Sequence, residues 1–260
     1  MVPRPDLNIA QAVFGSPGYP PLLGELYDPP RILYYRGVLP DPEKPAVAVV
    51  GTRHPSAAAS REAFKLGREL AERGIAVISG LALGIDAMAH RGCLEGGGKT
   101  AAVLGSGLDQ VYPVSNRMLA RRILESGGAL ISEYPWGTKP RKWNFPQRNR
   151  IISGLARGTV IVEAPAASGA LYTAQFALEQ GRDLWVSSVG ASSSLGEGTR
   201  KLAEEGCPLI RGAAEIAAEW GLCGEASVDG KDPRSGADSA RPGGPGKDLA
   251  AALKRELQLN

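Results

Sequence analysis

The chain has 260 residues, enough to bury a substantial core, and its 30 basic and 27 acidic side chains leave a formal charge of +3. A charge this small excludes a surface generally adapted to polyanions, so any nucleic-acid role must rest on local clusters of cations. Cys93, Cys207 and Cys223 form no CxxC pair, and no run approaches the roughly 18 apolar residues of a membrane span. We therefore expect a cytoplasmic protein without membrane contact, a disulfide framework or a zinc site.

Residues 1–45 are a proline-punctuated lead-in with one strand candidate, RILYYRG, which we expect to extend the sheet of the next domain. From residue 46, short β-rich runs alternate with segments of helical apolar spacing that end near a glycine. The strand candidates are 46–50, 75–79, 100–105, 129–133, 159–164 and 183–188. Apolar strands separated by helices predict an α/β fold with a doubly wound, mostly parallel sheet.

This pattern assigns residues 46–222 to one Rossmann-like domain, in which PLIRGAAEIAAEWG supplies a last short strand and helix. Residues 223–247 are rich in Gly, Pro, Ser and Asp and predict a disordered linker. Residues 248–260 favour a short amphipathic helix that is too small to be a domain.

Ligands of such folds bind outside the carboxyl ends of the strands, so the candidate sites are the five strand-to-helix junctions. Four of these junctions are rich in Gly and Ser. The run GGGKT is not a Walker A loop, because its first glycine would fall on Cys93 and because it precedes a strand. The run GSGLDQ has Gln110 where a dinucleotide fingerprint needs its third glycine. We therefore expect no nucleotide cofactor.

The two histidines, His54 and His90, belong to no dense set of metal ligands or catalytic residues. Asp86 and His90 are spaced i, i+4 on one predicted helix, so they either meet as a general-base pair or cap and orient that helix. The structural alternative is favoured, because such pairs commonly only stabilise helices.

The segment KPRKWNFPQRNRIISGL, residues 139–155, concentrates cations without an acidic residue. Its cations are Lys139, Arg141, Lys142, Arg148 and Arg150. They are interleaved with Trp143 and Phe145, and this mixture of phosphate ligands and stacking rings is what single-stranded nucleic acid requires. Arg148 and Arg150 are predicted in the first turn of a helix, where the macrodipole disfavours cations unless an anion is bound. Arg53, which follows the first core strand, is expected at the same edge of the sheet.

These motifs resemble the DprA/Smf family of DNA-processing proteins. The similar segments include VGTR, SGLALGIDAMAHRG, TAAVLGSGLDQVYP, FPQRNRIISGL and EAPAASGALYTAQFALEQGR, and together they cover about residues 19–210. The resemblance implies an extended Rossmann domain that forms a homodimer and acts without catalysis or a cofactor. It also implies that the protein binds single-stranded DNA, protects it and helps to load the RecA recombinase.

Carried over to this sequence, the resemblance assigns the DNA site to Arg53, Lys142, Phe145, Arg148, Arg150 and the turns Ser79–Gly80 and Ser168–Gly169. For the two arginines an alternative stays open, in which Asn149 and one of them brace neighbouring loops instead. Lys139 joins this set as a member of the cationic segment. For the homodimer we expect a contribution from the apolar helix 172–180 and the following strand.

The alternative is a nucleotide-processing enzyme of the LOG phosphoribohydrolase type, with Glu133 or Glu163 as the acid or base. The PGGxGT signature of that family is absent, and AASGALYT is the nearest run. The DNA-binding hypothesis is therefore preferred.

Overall fold

The computed structural model describes residues 8–222, so the predicted linker 223–247 and helix 248–260 lie outside the described residues. The strands are β1 (Ala10–Val13), β2 (Ile32–Gly37), β3 (Ala46–Val50), β4 (Ala76–Ser79), β5 (Thr100–Leu104), β6 (Ala129–Ser132), β7 (Gly158–Ile161), β8 (Asp183–Ser187) and β9 (Leu209–Ile210). The helices are α1 (Pro21–Gly24), α2 (Ala57–Glu72), α3 (Ile85–Glu95), α4 (Arg117–Glu125), α5 (Asn144–Gly154), α6 (Gly169–Glu179), α7 (Ser188–Ala191), α8 (Glu197–Glu204) and α9 (Ala213–Glu219). A 3-10 turn, Val114–Asn116, precedes α4.

All nine strands form one sheet in the order β1-β2-β6-β5-β4-β3-β7-β8-β9. The pairs from β6 to β9 along this order are parallel, whereas β2 runs antiparallel to β6 and β1 antiparallel to β2. The predicted doubly wound, mostly parallel sheet is therefore confirmed. RILYYRG extends the sheet as β2, and the edge strand β1 was not predicted.

Helices cover both faces of the sheet, because alternate residues of each central strand point to opposite sides. In β3, Ala48 and Val50 belong to the core that includes Ile151 of α5 and Ala174 of α6. Val47 and Val49 belong to the opposite core, with residues of α2, α3 and α9. Both faces are buried, which explains why the strands read as continuous apolar runs.

Helix α5 begins at Asn144, one residue after the αR-conformation cap Trp143. Arg148 and Arg150 therefore lie in its second turn, and the prediction that they occupy the first turn is wrong. The unfavourable interaction of their charge with the helix dipole, which falls off within the first turn, is accordingly weak. In the part of the chain that the structure describes, no helix combines the length and apolarity that crossing a bilayer requires.

Candidate nucleic-acid interface

A groove of about 610 Å³ lies at the carboxyl ends of the central strands. Residues from the loops after β3, β4, β5, β6 and β7 line it, so the five predicted junctions do converge at one edge. Among its lining residues are Arg53, His54, Ala82, Tyr112, Lys142, Phe145, Arg148, Asn149, Ser168, Gly169 and Thr173.

Two exposed cations, Arg53 and Lys142, stand on opposite loops of this groove. Within residues 8–222 neither of them forms an ion pair with a carboxylate. The guanidinium carbon of Arg53 lies 5.6 Å from the centroid of the Phe145 ring. Both charges are thus available to an anionic ligand beside an aromatic surface.

Phe145 is held in place by backbone on one side and by a second ring on another. A Cβ atom on Gly105 would lie 2.9 Å from Cδ1 of Phe145, so the ring fits here because residue 105 is a glycine. The neighbouring Asn144 donates a hydrogen bond of 2.9 Å from Nδ2 to the carbonyl of Gly105. The centroid of the Tyr112 ring is 5.7 Å from that of Phe145. The ring is therefore preorganised and only partly exposed.

Arg148 lies beneath the groove, and only 4% of the residue is exposed. Its Nη1 donates to the carbonyl oxygens of Gly80, at 2.8 Å, and of Val103, and its Nε donates to Oδ1 of Asn149. Burial lowers the pKa of Arg148 to about 10, although Asp86 opposes the shift, so the side chain stays charged at neutral pH. The guanidinium joins the loop after β4 and the end of strand β5 to α5.

Asp86 supplies the negative charge nearest to this buried cation. Its Oδ2 accepts hydrogen bonds from the backbone N–H groups of Gly80 at 3.1 Å and of Ala82 at 3.3 Å. Burial raises the pKa of the Asp86 carboxyl, and the charge of Arg148 opposes that rise. Asp86 therefore fixes the loop after β4 from below.

Arg150 faces away from the groove. Its Nη2 lies 2.6 Å from Oε1 of Glu133 and 3.7 Å from Oδ2 of Asp28, and its side chain is 14% exposed. This pairing ties α5 to β6 and to the lead-in segment. Arg150 is thus engaged within the fold and does not line the groove.

The two predicted glycine turns, Ser79–Gly80 and Ser168–Gly169, differ in their access to the groove. Ser79 is fully buried and donates from Oγ to the carbonyl of Val49, while a Cβ on Gly80 would meet the Arg148 guanidinium at 2.5–2.7 Å. Ser168 caps α6, and Gly169 is exposed with open space around it. Only the second turn therefore presents backbone to the groove, at a helix N-terminus that favours an anion. Lys139 is exposed, outside the residues that line the groove.

A family model described as DNA recombination-mediator protein A matches residues 11–221 of the chain. The chain belongs to this family. It is 41% identical to the DNA processing protein DprA of Streptococcus pneumoniae over 202 residues, which are 78% of this chain and 71% of the relative. It is 44% identical to protein Smf of Synechocystis over 210 residues, 79% of this chain, but spans only 52% of that relative's length.

Solved structures agree with this membership. The crystal structure of DprA from S. pneumoniae superposes with a TM-score of 0.74 at 38% identity, covering 82% of this chain and 74% of the other. A DprA structure from Helicobacter pylori, described as giving insight into its single-stranded DNA binding mode, superposes with a TM-score of 0.72 at 27% identity. It covers 83% of this chain and 96% of the other.

The acidic residues considered for catalysis have structural partners in this family member. His90 bonds through Nδ1 to Oγ1 of Thr100 at 2.7 Å, whereas Asp86 bonds to backbone N–H groups, so the structural alternative for this pair is favoured. Glu163 is fully buried and accepts from the N–H and the Oγ of Ser56, at 2.7 and 2.8 Å. Glu133 pairs with Arg150. Among residues 8–222, no group of three His, Cys, Asp or Glu side chains is placed to hold a metal ion.

The groove residues that the predicted DNA site omits include His54, Tyr112, Asn149 and Thr173. Asn149 accepts from Arg148 and donates from Nδ2 to the carbonyl of Gly169, which joins α5 to the start of α6. Tyr112 follows β5 in the GSGLDQVYP run, one of the five candidate junctions, but no residue of this run was assigned to the DNA site. Its position in a strand-to-helix junction was the signal that could have revealed it.

Proposed function

We propose that this groove binds single-stranded DNA without catalysing a reaction on it. The observation that carries the proposal is the juxtaposition of two unpaired exposed cations, Arg53 and Lys142, with the ring of Phe145 in one groove. Cations neutralise phosphates, and an aromatic ring stacks against any base, so this combination suits a strand with unpaired bases. The N-terminus of α6 adds backbone N–H groups for a phosphate.

The relatives support the same substrate. The S. pneumoniae and Bacillus subtilis relatives are named DNA processing protein DprA, and the H. pylori structure concerns binding of single-stranded DNA. The chain is 38% identical to the B. subtilis protein over 77% of its own length. We accordingly propose a role in processing DNA during transformation and recombination.

Four finer parts of the proposal follow from the family resemblance. They are protection of the bound strand, loading of the RecA recombinase, assembly as a homodimer and a cytoplasmic location. Within the described residues, the engagement of Glu133 and Glu163 in internal bonds weighs against a phosphoribohydrolase and favours a non-enzymatic role.

Fluorescence anisotropy with labelled oligo-dT tests the proposal. We expect the double variant Arg53→Glu with Lys142→Glu to lose measurable binding, because it replaces both phosphate ligands with carboxylates. Its thermal unfolding should match that of the parent, since both side chains are exposed. Binding at the parent's affinity would show that the groove is not the DNA site. Incubation of the parent with nucleoside monophosphates should release no base, and release would favour the enzyme.

A further inference from the structure

A second, smaller cavity of about 50 Å³ adjoins the groove on the side of the loop after β4. It shares Arg53, Ala82, Tyr112, Phe145 and Arg148 with the groove, and Leu83 and Pro113 form its outer wall. The two cavities are therefore continuous across the ring of Phe145. A strand lying in the groove has a direct path into this depression.

The wall of the depression is apolar and open. Tyr112 is 46% exposed and Leu83 is 41% exposed. The Tyr112 ring is tilted by 47° against Phe145, so part of it packs on that ring while the rest faces outward. Tyr112 and Leu83 lie beside the cation Arg53 and display an uncharged surface, which suits the face of a base and not a phosphate.

The backbone that carries Leu83 is fastened from two sides. Asn116 donates from Nδ2 to the carbonyl of Leu81 at 2.9 Å and to that of Ala82 at 3.1 Å. On the other side, the Asp86 carboxylate accepts from the N–H groups of Gly80 and Ala82. Leu83 is thus displayed by a loop that loses little freedom when a ligand binds.

We propose that Tyr112 and Leu83 form a second base-binding subsite, one nucleotide along the strand from the base at Phe145. This subsite rests on the proposed function of the groove. It makes the interface at least two bases long, with the phosphate between them near Arg53. Because stacking on Tyr112 needs only a π-face, the subsite accepts any base.

Substitutions measured with the same labelled oligo-dT test the subsite. Tyr112→Ala is expected to weaken binding about tenfold, within the range known for base–aromatic stacking. Tyr112→Phe keeps the ring and should bind within about twofold of the parent, whereas Leu83→Ala should lose about threefold. Parental affinity in Tyr112→Ala overturns the subsite.

Cross-linking of the parent protein separates stacking from an indirect effect of Tyr112 on Phe145. Oligo-dT that carries 5-iododeoxyuridine is irradiated on the protein, and adducts are mapped by peptide mass spectrometry. We expect adducts at both Tyr112 and Phe145. Adducts at Phe145 without any at Tyr112 overturn the subsite, even if Tyr112→Ala binds weakly, because Tyr112 would then act only by supporting Phe145.

The charge-reversal variant of the groove distinguishes failure of the subsite from failure of the proposed function. If Arg53→Glu with Lys142→Glu abolishes binding while Tyr112→Ala binds like the parent, the subsite fails and the groove stands. If both bind like the parent, the proposed function fails as well.

Discussion

The two ends of the parallel sheet carry similar charge but different chemistry. At the amino ends of the strands a cavity of about 230 Å³ is bordered by Lys44 and Lys99, both exposed. At the carboxyl ends the groove presents Arg53 and Lys142. The rings of Tyr112 and Phe145 line the groove, whereas none of the described residues that line the amino-end cavity is aromatic. Exposed cations occur at both ends of the sheet, whereas the combination of cations with aromatic rings distinguishes the carboxyl end.

The buried polar side chains near the two ends of the sheet also differ, because one set is charged and the other is neutral. Behind the groove lies the charged guanidinium of Arg148 with the Asp86 carboxylate. Thr100, which lines the amino-end cavity, bonds to the buried His90, whose Nδ1 donates to Thr100 because the Thr100 hydroxyl itself donates to the carbonyl of Val77. Burial lowers the pKa of His90 to about 3, with a smaller contribution from Arg148, so this imidazole is neutral. The buried charge of Arg148 thus braces the loop after β4 at the carboxyl ends of the strands.

The largest expected effect comes from removing that buried charge. Arg148→Met should lower the free energy of unfolding by about 3–5 kcal/mol, because Asp86 loses its counter-charge and two buried carbonyls lose their donor. Urea denaturation measures this change. Arg121→Met is the matched control, since Arg121 pairs with Glu125 on an exposed surface, and it should change stability by less than about 0.5 kcal/mol. Equal effects of the two substitutions would show that Arg148 does not brace the groove.

A smaller effect on stability is expected from the neutral imidazole of His90. The folded state keeps His90 uncharged, whereas the unfolded chain binds a proton below its ordinary pKa of about 6.5. Stability is therefore lost as the pH falls, by about 1 kcal/mol from this group between pH 7 and 5.5.

Urea titrations across that pH range test whether His90 stays neutral in the folded protein. The parent should lose about 1 kcal/mol more than His90→Gln does. Equal losses in the parent and in His90→Gln would contradict it.

Much of the fold was predictable because the strands are apolar and separated by helices. The edge strand β1 escaped prediction, since the four residues AQAV show no distinctive β pattern, and their pairing with β2 decides their structure. The placement of Arg148 and Arg150 in the first turn of α5 was also wrong, because the helix already begins at Asn144 and its first turn tolerates Pro146.

The candidate site was predictable for Arg53, Lys142 and Phe145, which lie in the strand-to-helix junctions after β3 and β6. The sequence left open whether one of Arg148 and Arg150 braces the loops, and it could not reveal that both are engaged internally. Their carbonyl and carboxylate partners lie far away in the chain, on Gly80, Val103, Glu133 and Asp28. Neighbouring cations in one motif therefore divide between a ligand surface and its support.

The salt dependence of oligo-dT binding, compared between two matched double variants, tests the central claim most directly. Arg53→Gln with Lys142→Gln and Lys44→Gln with Lys99→Gln remove the same charge from opposite ends of the sheet. Each contact with a phosphate of a single strand contributes about 0.7 to the slope of log K against log salt. We predict that the groove variant lowers the slope by about 1.4, whereas the amino-end variant leaves it unchanged. Equal slopes for the two variants, or a loss confined to the Lys44 and Lys99 variant, would contradict the assignment of DNA binding to the groove.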